Sequence, residues 1–139
     1  MKAKLFGKTL VVTLSRGEKL VESLKAACAA NSVETGSVSG IGSVLSAELQ
    51  SYRAETASYA DFSISEPCEI VSLLGNISKK SGNIHTHLHA ALAGPDGAVR
   101  GGHLNEAVIN GNCEIFVSVL DSVIDRKFDP ATGISPFDI

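Results

Sequence analysis

The 139-residue sequence contains no tryptophan, only two tyrosines and only five phenylalanines. A core without large aromatic side chains must be built from Ala, Val, Ile and Leu, and this composition favours β-branched packing in a sheet. Hydrophobic residues make up 44% of the chain and charged residues 19%, as is typical of a globular protein. We therefore predict one domain spanning residues 1–139.

Cysteine is scarce and its spacing carries no motif. The three cysteines are far apart, odd in number and never in a Cys-x-x-Cys pair: Cys28, Cys68 and Cys113. This pattern argues against a disulfide framework and against a sulfur-ligated metal site. Each cysteine has apolar neighbours, so we predict buried, reduced thiols that pack as small hydrophobes in a cytoplasmic protein.

The chain also lacks an excess of basic residues and any long apolar run. It has 12 Lys and Arg against 15 Asp and Glu, whereas a protein that binds DNA phosphates needs clustered cations. Short basic groups such as Lys79-Lys80 and Arg126-Lys127 are interpreted as scattered solubilising charge, although oligomerisation could gather them, so DNA remains a possible partner. No segment reaches the eighteen or so apolar residues of a membrane span, and Thr9–Leu14 is too short for a signal peptide.

One segment has a helical pattern. Ser15 followed by Glu18 has the spacing of a capping box at a helix start. Apolar residues then recur at helical intervals from Leu20 to Cys28, and the predicted helix ends near Asn31.

The remainder of the chain is rich in predicted strands. These strands are Lys8–Leu14, Val44–Arg53, Tyr59–Ile64, Glu69–Ile77, Asn83–Ala93, Ala98–Asn110 and Glu114–Leu120, with a loop at Glu55–Ser58. The glycine-rich stretch Thr35–Ser43 lacks the third glycine of a dinucleotide loop and the Gly-Lys of a P-loop, so it predicts a bend or bulge. The tail Asp121–Ile139 has little periodicity and is expected to wrap the surface or a neighbouring subunit.

All four histidines lie within one predicted hairpin. His85, His87 and His89 alternate along the strand, and residues two apart on a strand share a face at about 6.6 Å of rise. His85 and His89 are about 13 Å apart and can hardly reach one ion together, so the strand offers either His85 with His87 or His87 with His89. The alternative is a row of packed or interfacial histidines without metal.

A third ligand is available across the hairpin turn at Gly94–Gly97. Gly101-Gly102 would let the backbone approach closely or bulge, so that His103 can join the histidine strand. Three imidazoles suit zinc or another divalent transition metal and leave a fourth position open. Glu106, three residues further on, is the candidate general base or second-sphere residue.

Several short motifs resemble the plants-and-prokaryotes-conserved (PPC) domain family. They occur in order over nearly the whole chain: Ser39–Ser43 (SGIGS), Ala47–Leu49 (AEL), Glu66–Glu69 (EPCE), Leu74–Ile77 (LGNI), His87–Ala90 (HLHA), Pro95–Gly97 (PDG) and Gly101–Leu104 (GGHL). The resemblance implies an α+β fold, a curved and largely antiparallel sheet flanked by one or two helices, and assembly as a homotrimer. It also implies His87, His89 and His103 as metal ligands, with His85 as an additional histidine outside the family pattern.

Two functional hypotheses follow from the residues and the resemblance. Stand-alone prokaryotic members of the family are commonly described as candidate DNA-binding proteins, so the first hypothesis is an oligomeric, metal-binding assembly or DNA-associated module. This sequence, however, has no AT-hook-like segment and is acidic overall. The second hypothesis is a zinc-dependent lyase or hydrolase that acts on a small carbonyl or carboxylate ligand, with Glu106 near the metal.

Overall fold

A computed structural model describes residues 1–56 and 58–139; Ala57, inside the loop predicted at Glu55–Ser58, lies outside the described residues. Over the described part, the chain forms nine strands and one α-helix. In chain order these are β1 (Lys2–Phe6), β2 (Thr9–Ser15), α1 (Leu20–Ala30), β3 (Gly36–Arg53), β4 (Ser58–Ile64), β5 (Cys68–Lys80), β6 (Asn83–Ala93), β7 (Val99–Val119), β8 (Asp125–Arg126) and β9 (Phe137–Asp138).

Seven strands form one antiparallel sheet in the order β1-β2-β7-β6-β5-β3-β4. Strand β7 also pairs with β3, so β3, β5, β6 and β7 close on one another and the sheet must curve strongly. The predicted α+β fold with a largely antiparallel sheet in a single domain is therefore confirmed, with one helix in the described residues.

Helix α1 covers one face of the sheet. Its buried side is Leu20, Val21, Leu24, Ala27 and Cys28, at the helical spacing seen in the sequence. Strand β6 shows the matching alternation, because Leu88, Ala90 and Leu92 are buried in the core. Successive strand side chains point to opposite faces, so the β6 histidines lie on the face away from the core.

The helix begins later than the capping-box pattern predicted. The Ser15 N–H does donate to Glu18 Oε2 at 2.7 Å, but Gly17 between them has a φ of 86°. A left-handed residue there makes a turn, and α1 starts only at Leu20, with Lys19 at its N-cap and no side-chain cap from it. Strand β1 was missed, and β7 is continuous where two shorter strands were predicted.

The tail packs against its own sheet. The backbone N–H of Lys79 donates to the Ile124 carbonyl at 2.9 Å, and β8 pairs with β9 as a small second sheet. Cys28, Cys68 and Cys113 are buried free thiols, as predicted. In the two described segments, no helix combines the length and apolar character needed to cross a membrane.

Candidate metal centre

Three of the four histidines meet on the face of the sheet opposite α1. His87 and His89 are two residues apart on β6, and His103 on β7 is paired directly with His89. Cross-strand partners lie about 4.5–5.5 Å apart at Cβ, so this register brings the two imidazoles together. The third imidazole, that of His87, is the diagonal neighbour of the same pair.

The three rings are close enough to share one ion. Their centroids are 5.3 Å apart for His87 and His89, 5.3 Å for His87 and His103, and 5.5 Å for His89 and His103. One nitrogen from each ring lies within 4.8 Å of the other two. Tetrahedral zinc with bonds of about 2.0–2.1 Å separates its ligand nitrogens by about 3.4 Å, so small side-chain rotations close the site.

Glycines bring the strands that carry these histidines together. A Cβ on Gly102 would lie 2.4 Å from the carbonyl oxygen of Gln50 in β3, and one on Gly101 would lie 2.3 Å from that of Ala90 in β6. No real side chain fits at such distances, so the backbones approach as the sequence suggested. The residue that follows, His103, is thereby held between β6 and β3.

The electrostatics of the site favour neutral imidazoles. Burial lowers the pKa of His87, and the nearby Arg126 charge lowers it further. Burial likewise lowers the pKa of His103, with a smaller contribution from His89. Neutral imidazole is the form that ligates a metal, so these two side chains are in the binding form at neutral pH.

His85 is not part of the cluster. The group of mutually close ligand atoms consists of His87, His89 and His103, while His85 lines a neighbouring cleft one step further along β6. Burial, followed by the charges of Arg126 and Lys80, lowers the pKa of His85 to about 4. Strand spacing alone allowed two histidine pairs, and in the structure His87 and His89 are the pair that shares the cluster.

The structure places Glu106 at the N-terminus of α1 and not in the histidine cluster. Its Oε1 accepts the N–H of Val21 at 2.7 Å and that of Ala107 at 2.9 Å, and its Oε2 accepts the N–H of Glu22 at 3.2 Å. The bulge suggested at Gly101-Gly102 is not found, because the pairing there is regular, and the register shift instead falls between Leu104 and Glu106. A carboxylate at this position caps the helix that Lys19 leaves uncapped.

We expect Glu106→Ala to lower the free energy of unfolding by about 1–3 kcal/mol, because two helix N–H groups lose their acceptor. Chemical denaturation measures this change, and metal content should be unaltered. The matched control is Glu48→Ala, since Glu48 is exposed and pairs with Glu106 across β3 and β7. A Glu106 variant as stable as the Glu48 variant would contradict the capping role.

A cleft of about 520 Å³ opens beside the histidines. That volume falls in the usual range for small-ligand sites. Its lining comes from the sheet and from the tail: Gln50, Tyr59, Asn76, Lys80, His85, His87, His103, Arg126, Phe128, Gly133, Ile134, Ser135, Pro136 and Phe137. His87 and His103 belong both to the cleft and to the cluster, so a ligand in the cleft would lie next to the metal centre.

The residues that the tail adds to the cleft were not predicted from the sequence. Arg126 was interpreted as scattered solubilising charge, whereas the structure places it in the cleft wall, where its side chain contacts Asn76 and Ser78 on β5. Phe137 stacks on the guanidinium, with Cζ 4.5 Å from the ring centroid. The tail sequence is distinguished by its lack of periodicity, and this feature does not predict where the segment packs on the sheet.

Comparison with known proteins gives a family match over most of the chain. A model of the Plants and Prokaryotes Conserved (PCC) domain matches residues 1–121. The match therefore includes all three clustered histidines and ends before the tail that supplies Arg126 and Phe137. None of the curated proteins compared with the chain is significantly similar to it.

Several solved structures have the same fold. A metal-containing protein from Archaeoglobus fulgidus is 34% identical, with a TM-score of 0.87 and full coverage of both chains. A candidate DNA-binding protein from Bacteroides thetaiotaomicron is 30% identical with a TM-score of 0.93, over 99% of this chain and 96% of that one. A plant- and prokaryote-conserved protein from Pyrococcus horikoshii is 28% identical with a TM-score of 0.85, over 99% and 95%.

Proposed function

The chain belongs to the Plants and Prokaryotes Conserved domain family, and from this membership we propose that it is an oligomeric metal-binding protein with a three-histidine zinc-type site. The observation that carries the proposal is the mutual approach of His87, His89 and His103 to within 4.8 Å. The similar protein from Archaeoglobus fulgidus is described as metal-containing, which supports it. A metal held by three imidazoles supplies Lewis acidity at its open position.

Elemental analysis of the protein purified without added chelator tests the site. We expect about one transition-metal ion per chain, with zinc the first choice for three neutral imidazoles. The ion should be removable with a chelator and return on addition of zinc. Metal-free protein that neither takes up zinc nor gains thermal stability from it would refute the proposal.

The outer face of the sheet supports assembly. Leu74 on β5 pairs with His89 on β6 and with Ser39 on β3. Ser39 in turn pairs with Phe116 on β7, so these residues form one row across four neighbouring strands. Leu74, Phe116 and nearby Ile41 are exposed apolar side chains on this side. A contiguous apolar patch in a monomer indicates a partner surface, and we propose that a homotrimer covers it.

We expect Phe116→Glu to convert the proposed trimer into monomers, because it buries a charge in an apolar contact. Light scattering coupled to size-exclusion chromatography measures the mass. Phe6→Glu is the matched control: Phe6 is 56% exposed and Phe116 49%, but Phe6 lies on the edge strand β1, which β2 separates from β7. A wild-type protein that elutes as a monomer would contradict the trimer.

DNA is a further candidate partner, suggested by the description of the Bacteroides thetaiotaomicron protein. The net charge of −3 does not favour it, since phosphate binding needs clustered cations. Fluorescence anisotropy of a labelled DNA duplex tests whether the protein binds DNA. It is measured at about 150 mM salt, where weak phosphate contacts are largely screened. Binding that survives supports a DNA-associated module; its absence leaves assembly as the role. A cytoplasmic location stays a prediction.

A metal-dependent lyase or hydrolase is the second candidate function. The observation that favours it is the cleft, because His87 and His103 line it and a substrate there would lie beside a metal held by these histidines. Glu106, predicted as the general base, instead accepts backbone N–H groups at the start of α1. Turnover of small oxo acids by the zinc-loaded protein, absent in His87→Ala, would establish this activity.

A further inference from the structure

The cleft beside the histidines is positively charged. Lys80 and Arg126 both line it, and within residues 1–56 and 58–139 none of its lining residues is Asp or Glu. In the described residues neither cation forms a salt bridge, although five salt bridges occur elsewhere. Lys80 is exposed, but Arg126 is partly buried, and an anionic ligand would offset the cost of burying its unpaired charge.

Arg126 is held rigidly for such a contact. Its Nε donates to Ser78 Oγ at 2.8 Å, its Nη2 to Asn76 Oδ1 at 2.8 Å and its Nη1 to the Ser135 carbonyl at 2.9 Å. A guanidinium has five N–H groups, so two remain without a protein acceptor in the described residues. All three acceptors are neutral, so the guanidinium keeps its full attraction for a carboxylate.

Part of the cleft wall is apolar. Phe137 stacks on the Arg126 guanidinium, and Phe128 and Ile134 of the tail line the same space. Both Phe128 and Ile134 are exposed, at 62% and 48%, so their faces are available to a ligand. Water or an inorganic anion would leave this apolar surface uncovered, whereas an organic group would bury it.

We propose that the cleft is a binding site for a small organic acid. Its carboxylate would be held by Arg126 and Lys80, and its apolar part would pack against Phe128 and Ile134. The site goes beyond the proposed metal centre and does not depend on it, because both cations belong to the chain. Seven of its fourteen lining residues, including Arg126 and Phe128, lie beyond the family match, which ends at residue 121.

Calorimetric titration with isovalerate and with its neutral analogue isovaleramide tests the site. Both are run on chelator-treated protein and on zinc-loaded protein. We expect the acid to bind at least ten times more tightly than the amide in both forms, and more tightly than inorganic phosphate. Equal affinity for acid and amide would overturn the anion site, and tighter binding of phosphate would overturn the organic part of the assignment.

Charge-neutralising variants locate the site. Lys80→Gln should weaken isovalerate binding several-fold and Arg126→Gln at least tenfold, while Lys127→Gln should leave it unchanged. Lys127 is the matched control because it is adjacent to Arg126 but is exposed and does not line the cleft. Arg126 also anchors the tail, so Lys80→Gln keeps the test valid if the arginine variant misfolds. Equal losses in the Lys80 and Lys127 variants would overturn the assignment.

The proposals for the metal centre and for the acid site can be refuted independently of each other. Acid binding that persists in protein unable to bind zinc supports this site and counts against the metal centre alone. Stoichiometric zinc without selective acid binding overturns this site and leaves the metal centre intact.

Discussion

Replacing His87 with alanine is expected to abolish stoichiometric metal binding, whereas replacing His85 with alanine should leave it unchanged. His87 supplies one of three nitrogens that lie within 4.8 Å of one another, and His85 supplies none. Loss of a ligand should cost more than the 10- to 100-fold typical of an outer-sphere change, so we expect the affinity to fall by more than about 100-fold. Competition with a chromogenic chelator measures both affinities.

The two variants should also differ in how zinc changes their thermal stability. A ligand that binds only the folded state stabilises it by about 4 kcal/mol when its free concentration is 1,000 times its Kd. Zinc should therefore raise the Tm of the wild type and of His85→Ala, and should not raise that of His87→Ala. Equal responses of the two variants would show that the ion binds elsewhere.

The histidine strand was accessible to sequence reasoning because its determinants are local. Alternation fixes which side chains share a face, and the predicted bounds Asn83–Ala93 coincide with those of β6. The hairpin turn then limits where His103 can lie. Spacing alone could not choose between two histidine pairs, because that choice depends on the register of β6 against β7, in which His89 faces His103.

Other features depend on contacts between distant parts of the chain. The capping box at Ser15 is a local signal, but the carboxylate that caps α1 comes from Glu106, 85 residues after Val21. Arg126 reaches the cleft because the tail docks on β5, and no local pattern in residues 121–139 specifies that docking. The effect of glycine on strand continuity was also ambiguous from the sequence. Gly101 was predicted to allow either a close approach or a bulge, and it continues β7 in close approach because it has no Cβ to collide with β6.

Gly75 is the clearest example of a position where only glycine fits, because neighbouring backbone atoms leave no room for a Cβ. It pairs with Leu88 of β6, and a Cβ at this position would lie 2.0 Å from the carbonyl oxygen of His87 and 2.8 Å from the Leu88 Cα. Both are backbone atoms of the histidine strand, so no side-chain rotation can relieve the overlap. Any larger residue must push β6 away from β5.

We expect Gly75→Ala to destabilise the fold by about 3 kcal/mol or more, at or above the upper end for overpacked cores, because the clash is with backbone. It should also weaken zinc binding, since displacement of β6 moves His87 relative to His103. Denaturant unfolding and the chelator competition measure the two effects. Gly111→Ala is the matched control, because its Cβ would meet only Ser43 Oγ at 3.3 Å. A Gly75 variant with the stability and zinc affinity of the Gly111 variant would show that the spacing of β5 and β6 does not position the metal centre.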